Sequence, residues 1–264
     1  MIKYKFMLTI GLMIVIIFNL SNLSKSLPSE VVKENMDVIR MDKAIANSED
    51  IEASMEADMN SPTYEDHGET ISIIFDYDSL PDHIISRMEN VSWKVSSPVQ
   101  LKDLSYLQVA YWGFDDTIKQ GELVVHKLIA KEVLEIFKEL YEAKFPIEKI
   151  NLIDHYGAED ESSMADNNTS SYCFREVLGQ PGSISKHSYG LAIDINPAQN
   201  PYVKGNAILP KEGSNYLDRD NIRKGMIVID DPCHGAFKSK GWTWGGDWKT
   251  MKDYQHFEKT IVLE

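Results

Sequence analysis

The sequence predicts an α+β fold in which short strands cluster around and after one dominant helix. Three observations predict it. Residues 126–143 carry a clear helical period. Several short runs, from Ile71 to Ile195, are apolar and β-branched or alternate apolar with small or polar residues. Between them, residues 157–185 are rich in Gly, Asn and Ser and read as loop. The hydrophobic fraction of 43%, with 12 Tyr, 9 Phe and 5 Trp, is ample for a packed core, so the chain as a whole is not a disordered one.

The elements follow in order. Ile71 to Phe75 (ISIIF) reads as a strand, and Leu104 to Gly113 (LSYLQVAYWG) as an aromatic-rich one. Glu122 to Val125 is a short extended segment. In the helix, Val125, Leu128, Ile129, Val133, Phe137, Leu140 and Tyr141 recur mostly at spacings of three and four. Lys127, Lys131, Glu132, Glu135, Lys138 and Glu139 fill the other face, and Pro146 lies just past the end. Ile150 to Asp154 reads as a strand. The loop-rich stretch contains Gly157, an acidic patch, the polar run Asn167 to Ser171, and Gly179-Gln-Pro-Gly182. Loops of this length in compact domains are commonly functional.

The start of the chain has a different character. Lys3 and Lys5 precede an apolar run from Phe6 to Leu20, which suits a secretory signal or an N-terminal membrane anchor over residues 1–28. The run is short for a spanning helix, which needs about 20 residues. Small residues Ser21, Ser24 and Ser26 follow it, without an A-x-A site. Residues 29–70 read as an acidic flexible stalk, a plain spacer or an inhibitory pro-segment. Residues 30–70 hold 12 acids against 3 bases, which leaves residues 71–264 at a net −8 out of the total −14. Such a chain excludes nucleic-acid binding, because phosphate contacts need clustered Lys and Arg. Two cysteines, Cys173 and Cys233, are too few for a disulfide scaffold. They form one disulfide or remain two buried thiols.

The chemistry concentrates in two motifs. The first is Ser185-Lys-His187-Ser-Tyr-Gly190-Leu-Ala192-Ile-Asp194. Leu191, Ile193 and Ile195 alternate with Ala192 and Asp194, so Asp194 shares a strand face with a small neighbour. His187 lies in the preceding loop, and Gly190 permits a turn that folds that loop back over the strand. The second is Asp253-Tyr-Gln-His256-Phe-Glu258, near the C-terminus. Two His and one carboxylate are a ligand set of catalytic zinc, with the fourth position open. Asp253, three residues before His256, suits a general base. Read by themselves, the same residues also fit a satisfied loop histidine and a buried ion pair.

Ser-x-His-x-x-Gly-x-Ala-x-Asp followed far downstream by Asp-x-x-His resembles the zinc D-alanyl-D-alanine carboxypeptidase family, which includes L-alanyl-D-glutamate endopeptidases. The match rests on Ser185, His187, Gly190, Ala192, Asp194, Asp253 and His256, and the resemblance covers roughly residues 104–264. It implies a small antiparallel sheet with flanking helices, and a single zinc-peptidase domain over residues 71–264 after the anchor and stalk. It implies Zn2+ on His187, Asp194 and His256, with Asp253 as general base. Asp rather than Glu at that position resembles the endopeptidase branch. The family also uses an upstream Arg to bind substrate and stabilise an oxyanion, and Arg175 stands in the matching place, a surface ion pair being the alternative.

Weaker features surround these motifs. In Trp242-Thr-Trp244-Gly-Gly-Asp247-Trp248, Trp244 is a candidate substrate-binding residue or a core residue. Ser185 orients its loop or binds substrate, a turn cap being the alternative. Tyr189 and Tyr254 adjoin the motifs or simply pack. Glu258 supports His256 or lies on the surface. The sequence-level expectation is a monomeric zinc peptidase outside the cytoplasmic membrane, acting on peptidoglycan stem peptides and held to the membrane through its N-terminal segment. A non-catalytic zinc domain that binds wall or protein ligands is the alternative.

Overall fold

The computed structural model describes residues 63–66 and 69–262. The expected signal or anchor of residues 1–28, and most of the expected stalk, lie outside the described residues. Among the described residues no helix is long and apolar enough to cross a membrane.

In chain order, β1 (Thr63–Asp66) and β2 (Glu69–Ser72) pair as an antiparallel hairpin. Extended structure therefore begins inside the segment read as stalk, ahead of Ile71. Next come β3 (Phe75–Ser79) and α1 (Asp82–Met88), whose Ile84 and Met88, one helical turn apart, are both buried. The long strands β4 (Leu104–Trp112) and β5 (Ile118–His126) form an antiparallel pair, with β3 on the far side of β4. Asp76 and Asp78 sit on exposed β3, where charge discourages further strand pairing.

The predicted helix is present as α2 (Ala130–Glu142), entered through a 3-10 turn over Lys127–Ile129. His126 caps that turn: its Nδ1 accepts from Leu128 N at 3.3 Å. Ala130, Val133, Leu134, Ile136, Phe137 and Leu140 are buried, as the period requires. Lys144 turns into the left-handed region (φ 52°) to end the helix before Pro146.

Beyond the helix, the strand expected over residues 150–154 is much shorter. Only β6 (Lys149–Ile150) pairs, in parallel, with β7 (Asn168–Thr169). The backbone then coils into a 3-10 turn at Ile153–Tyr156, closed by Gly157 at φ 62°. Between β6 and β7 lies α3 (Asp160–Ala165), with acids in its first turn, where the helix dipole favours them.

Seven short elements complete the chain: β8 (Ala192–Asp194), β9 (Tyr202–Lys204), β10 (Ala207–Leu209), α4 (Pro232–Ser239), β11 (Thr243–Trp244), β12 (Lys252–Asp253) and β13 (His256–Glu258). Helix α4 starts from Asp231, whose side chain accepts from His234 N at 2.8 Å, with Pro232 at the first helical position. Two antiparallel sheets result, ordered β11-β13-β8 and β10-β9-β12. The architecture is the expected α+β mixture with small antiparallel sheets.

One core joins these layers. Leu107, Val109, Leu123 and Val125 of the β4–β5 pair meet Val133, Phe137 and Leu140 of α2. The same cluster runs on through Phe237 of α4 to Ile193 of β8 and Phe257 of β13. Phe237 and Phe257 stack with ring centroids 4.1 Å apart. The strands that carry Asp194 and His256 are thus anchored to the deepest part of the domain. Cys173 and Cys233 are free and buried, so the thiol alternative holds and the disulfide does not.

Candidate metal centre

Strands β8 and β13 place two candidate ligands directly opposite one another: His256 pairs with Asp194 in the antiparallel register. Across-strand neighbours on one face lie about 4.5–5.5 Å apart at Cβ, within reach of a shared ion. The other edge of β8 is braced by Ser170, which exchanges backbone bonds with Asp194 at 2.9 and 3.1 Å.

His187 reaches the same point from a 3-10 turn at Lys186–Tyr189. Ser185 Oγ accepts from His187 N at 3.3 Å, so the turn-cap reading of Ser185 is realised, and Ser185 also lines the cleft. Gly190 ends the turn at φ 66°. Its carbonyl accepts from His126 N at 2.9 Å, and a Cβ there would lie 2.5 Å from that nitrogen. Only glycine permits this reversal against the end of β5.

The three side chains converge. His187 Nε2 lies 3.2 Å from Asp194 Oδ2, His256 Nδ1 lies 3.0 Å from Asp194 Oδ1, and the two imidazole nitrogens are 3.3 Å apart. His187, Asp194 and His256 are 2%, 3% and 7% exposed. Each imidazole is held from behind: His187 Nδ1 bonds Ser171 O at 2.6 Å, and His256 Nε2 bonds Glu258 Oε2 at 3.2 Å. With protons on those outer nitrogens, two ring lone pairs and a carboxylate face one point. Three acceptors so arranged suit a cation. Zinc bonds of about 2.0–2.1 Å in a tetrahedron separate ligand atoms by about 3.3 Å, which these spacings match. The donor set therefore fits zinc.

Electrostatics agree with a site built around positive charge. Burial opposes ionisation of Asp194, yet the His187 and His256 imidazoles beside it hold its carboxyl far below the usual carboxylate range. Burial alone would lower the His256 pKa, but hydrogen bonds to Asp194 and Glu258 raise it to about 10. Asp253 is pushed up to about 7, chiefly by burial, with His256 and Arg175 opposing the rise and Asp194 adding to it.

Asp253 sits on β12, paired with Tyr202 of β9, and lines the same cleft as the three ligands. Its Oδ1 is buried and has no hydrogen-bond partner. Arg175 lines the cleft too. One of its terminal nitrogens lies 3.2 Å from Asp160 and 3.9 Å from Asp194, and its Nε is buried without a partner.

The structure does not bring every candidate to the cleft. Trp244 is 3% exposed and belongs to the core. Its Nε1 donates to Tyr254 O at 2.8 Å, and its ring meets His234 and Phe257. The core alternative for Trp244 is the one realised, and Trp248 lines the cleft instead, its ring centroid 5.5 Å from that of His256. The two glycines between these tryptophans explain the switch. A Cβ on Gly245 would lie 2.5 Å from Asp253 O, and one on Gly246 would lie 2.3 Å from the Trp244 ring. Tyr189 and Tyr254 pack against the core. Sequence reasoning passed over Asp160, Lys186, Gln255 and the apolar wall of Val177, Leu178 and Ile184, all of which line this cleft. None sits in a recognisable pattern. Glu258, weighed as support for His256, occupies that position.

Residues 179–259 match the family model described as D-alanyl-D-alanine carboxypeptidase. A peptidoglycan L-alanyl-D-glutamate endopeptidase of Bacillus subtilis (strain 168) is 34% identical over 82 residues, covering 29% of this chain and 40% of that relative. The chain thus spans less than half the length of the curated relative it matches. No solved structure matches. The matched segment holds all three candidate ligands, Asp253 and Glu258. Over this segment the chain is similar to the D-alanyl-D-alanine carboxypeptidase family.

Proposed function

We propose that the protein is a zinc-dependent endopeptidase that hydrolyses peptidoglycan stem peptides at the L-alanyl-D-glutamate bond. The observation that carries this reading is Asp253. A carboxylate with one buried, unpaired oxygen stands in an open cleft beside two histidines and an aspartate. A metal clip used only for stability has no need of it.

His187, Asp194 and His256 would hold the zinc. When bound, zinc supplies Lewis acidity, polarising a carbonyl and making a water easier to deprotonate. Asp253 takes the proton of the attacking water and passes it to the leaving amine. Burial raises this carboxyl above its ordinary value, which suits a group that must both take and return a proton. Arg175 points a partly exposed, charged guanidinium into the cleft, where it binds a substrate carbonyl and stabilises the developing oxyanion. Asp160 orients that guanidinium. Ser185 holds the His187 turn, and Trp248 forms a wall of the peptide groove.

Asp at position 253 and the Bacillus subtilis relative both favour the L-alanyl-D-glutamate bond over the terminal D-alanyl-D-alanine bond. The substrate places the enzyme outside the cytoplasmic membrane, where residues 1–28 act as export signal or anchor. We take the working unit to be a monomer.

Digestion of purified muropeptides, followed by mass analysis and metal analysis of the same protein, tests the proposal. Cleavage between L-alanine and D-glutamate with one zinc per chain is the expected result. Loss of a terminal D-alanine would reassign the bond. One zinc per chain with no cleavage would make the domain a binding module.

A further inference from the structure

Gln255 lies between the general-base candidate and the third ligand, and nothing in the zinc chemistry uses it. Its backbone is fixed: Gln255 O accepts from Ile195 N at 3.0 Å. Its side chain is 3% exposed and lines the cleft. The carboxamide nitrogen meets the sulfur of Met164 at 3.4 Å, a weak acceptor, and also bears on the Asp253 carboxylate, whose pKa it lowers. The carboxamide oxygen is buried and has no hydrogen-bond partner.

A buried acceptor left unmet costs stability, and folded proteins rarely keep one without a use. Gln255 does not stand alone. The Arg175 Nε donor and the Asp253 Oδ1 acceptor are also buried and unpartnered, and all three residues line this one cleft. The carboxamide oxygen is therefore explained by something that enters the cleft and brings an N–H.

Resting on the peptidase reading, we infer that the Gln255 carboxamide oxygen accepts a hydrogen bond from a backbone N–H of the bound peptide. Gln255 is then a substrate-binding residue. Each peptide unit offers one donor and one acceptor. An acceptor at Gln255 and a donor at Arg175 Nε together match the two polar groups of an extended chain. The pairing fixes the register of the peptide, so that the scissile carbonyl faces Asp253 and the metal ligands.

The test uses the full chain loaded with zinc. The probes are a synthetic stem tetrapeptide beginning L-alanyl-D-glutamyl and analogues in which each non-scissile amide in turn becomes an ester, which deletes one N–H without adding bulk. Gln255→Met removes the carboxamide at nearly constant length. On the parent peptide it is expected to lower kcat/KM about tenfold to hundredfold. Its thermal midpoint should equal or exceed that of the wild type, because an unmet buried acceptor is gone. On one ester analogue, already a poorer substrate for the wild type, variant and wild type should be cut equally. The same loss on every analogue, or no loss on the parent, overturns the inference. Gln255→Leu removes the same oxygen and decides the matter if Gln255→Met does not fold. A wild type that cuts no stem peptide overturns the peptidase reading and this inference with it. A wild type that cuts, with Gln255→Met unimpaired, overturns this inference alone.

Discussion

Glu258 Oε2 lies 3.2 Å from His256 Nε2, while the other nitrogen of that ring, Nδ1, lies 3.0 Å from Asp194 Oδ1. A proton donated to Glu258 leaves the Nδ1 lone pair facing Asp194 and His187. The carboxylate thereby sets both the tautomer and the tilt of the ring. Glu258→Gln keeps an acceptor but loses the charge. It should weaken zinc binding about 10- to 100-fold, read by competition with a chromophoric chelator. Unchanged affinity would show that the β8–β13 register alone orients His256.

In the proposed mechanism Asp253 acts in the reaction and does not hold the metal. Asp253→Asn keeps the shape and removes the base, so zinc content should stay at one per chain while kcat falls about 10²- to 10⁴-fold. His256→Ala should lose both metal and turnover. Metal analysis and muropeptide release on the same samples separate the two variants. Turnover near the wild-type level in Asp253→Asn would remove Asp253 from the mechanism.

The two halves of the site were unequally legible in the sequence. His187 and Asp194 lie on one local turn and strand, so alternation and Gly190 suffice to bring them together. His256 lies 62 residues beyond Asp194 and meets it only through the antiparallel register of β8 and β13, which local spacing does not encode. The helix α2 was legible because one face of it is buried against a sheet. The expected strand over 150–154 was not, because apolar Leu152 and Ile153 are buried from a 3-10 turn as readily as from a strand. Gln255 and Asp160 carry no pattern at all. Their roles follow from which walls of the cleft they complete.

Trp244 and Trp248 stand four residues apart and should respond oppositely. Trp244 is packed between His234 and Phe257, so Trp244→Ala opens a cavity that costs about 3–5 kcal/mol. Trp248 lines the cleft, and Trp248→Ala should leave the thermal midpoint nearly unchanged while raising KM for stem peptides. Thermal unfolding beside steady-state kinetics reads both. A raised KM with an unchanged midpoint in Trp244→Ala would return that residue to the substrate groove.

Gly190 couples the candidate metal centre to the β4–β5 sheet. Alanine there suffers twice. The left-handed backbone costs about 1–2 kcal/mol for a residue with a Cβ, and that Cβ would press on the His126 backbone nitrogen at 2.5 Å. The turn that presents His187 must shift to relieve the contact. Gly190→Ala should therefore lower the thermal midpoint and weaken zinc binding together. A lower midpoint with full zinc affinity would show that His187 is held by Ser171 and Ser185 without Gly190.

Asp154 supplies a pH signature remote from the metal. Its Oδ1 accepts from Ser92 N at 3.3 Å and from Ser92 Oγ at 2.7 Å. Burial raises its pKa above 3.8, and the bonds from Ser92 only partly oppose the rise. A carboxyl so raised binds its proton more tightly in the folded state than in the unfolded one. Its stabilising contribution is complete below 3.8 and is lost as pH climbs through the folded value. At pH 7 the ionised group therefore works against the fold. Asp154→Asn keeps an oxygen for Ser92 and carries no charge. Its thermal midpoint should exceed that of the wild type at neutral pH, and the gap should close as pH falls toward 3.8. Thermal unfolding from pH 3 to pH 8 measures that gap, and a gap constant across the range would mean that packing around Ser92, and not ionisation of Asp154, sets the difference.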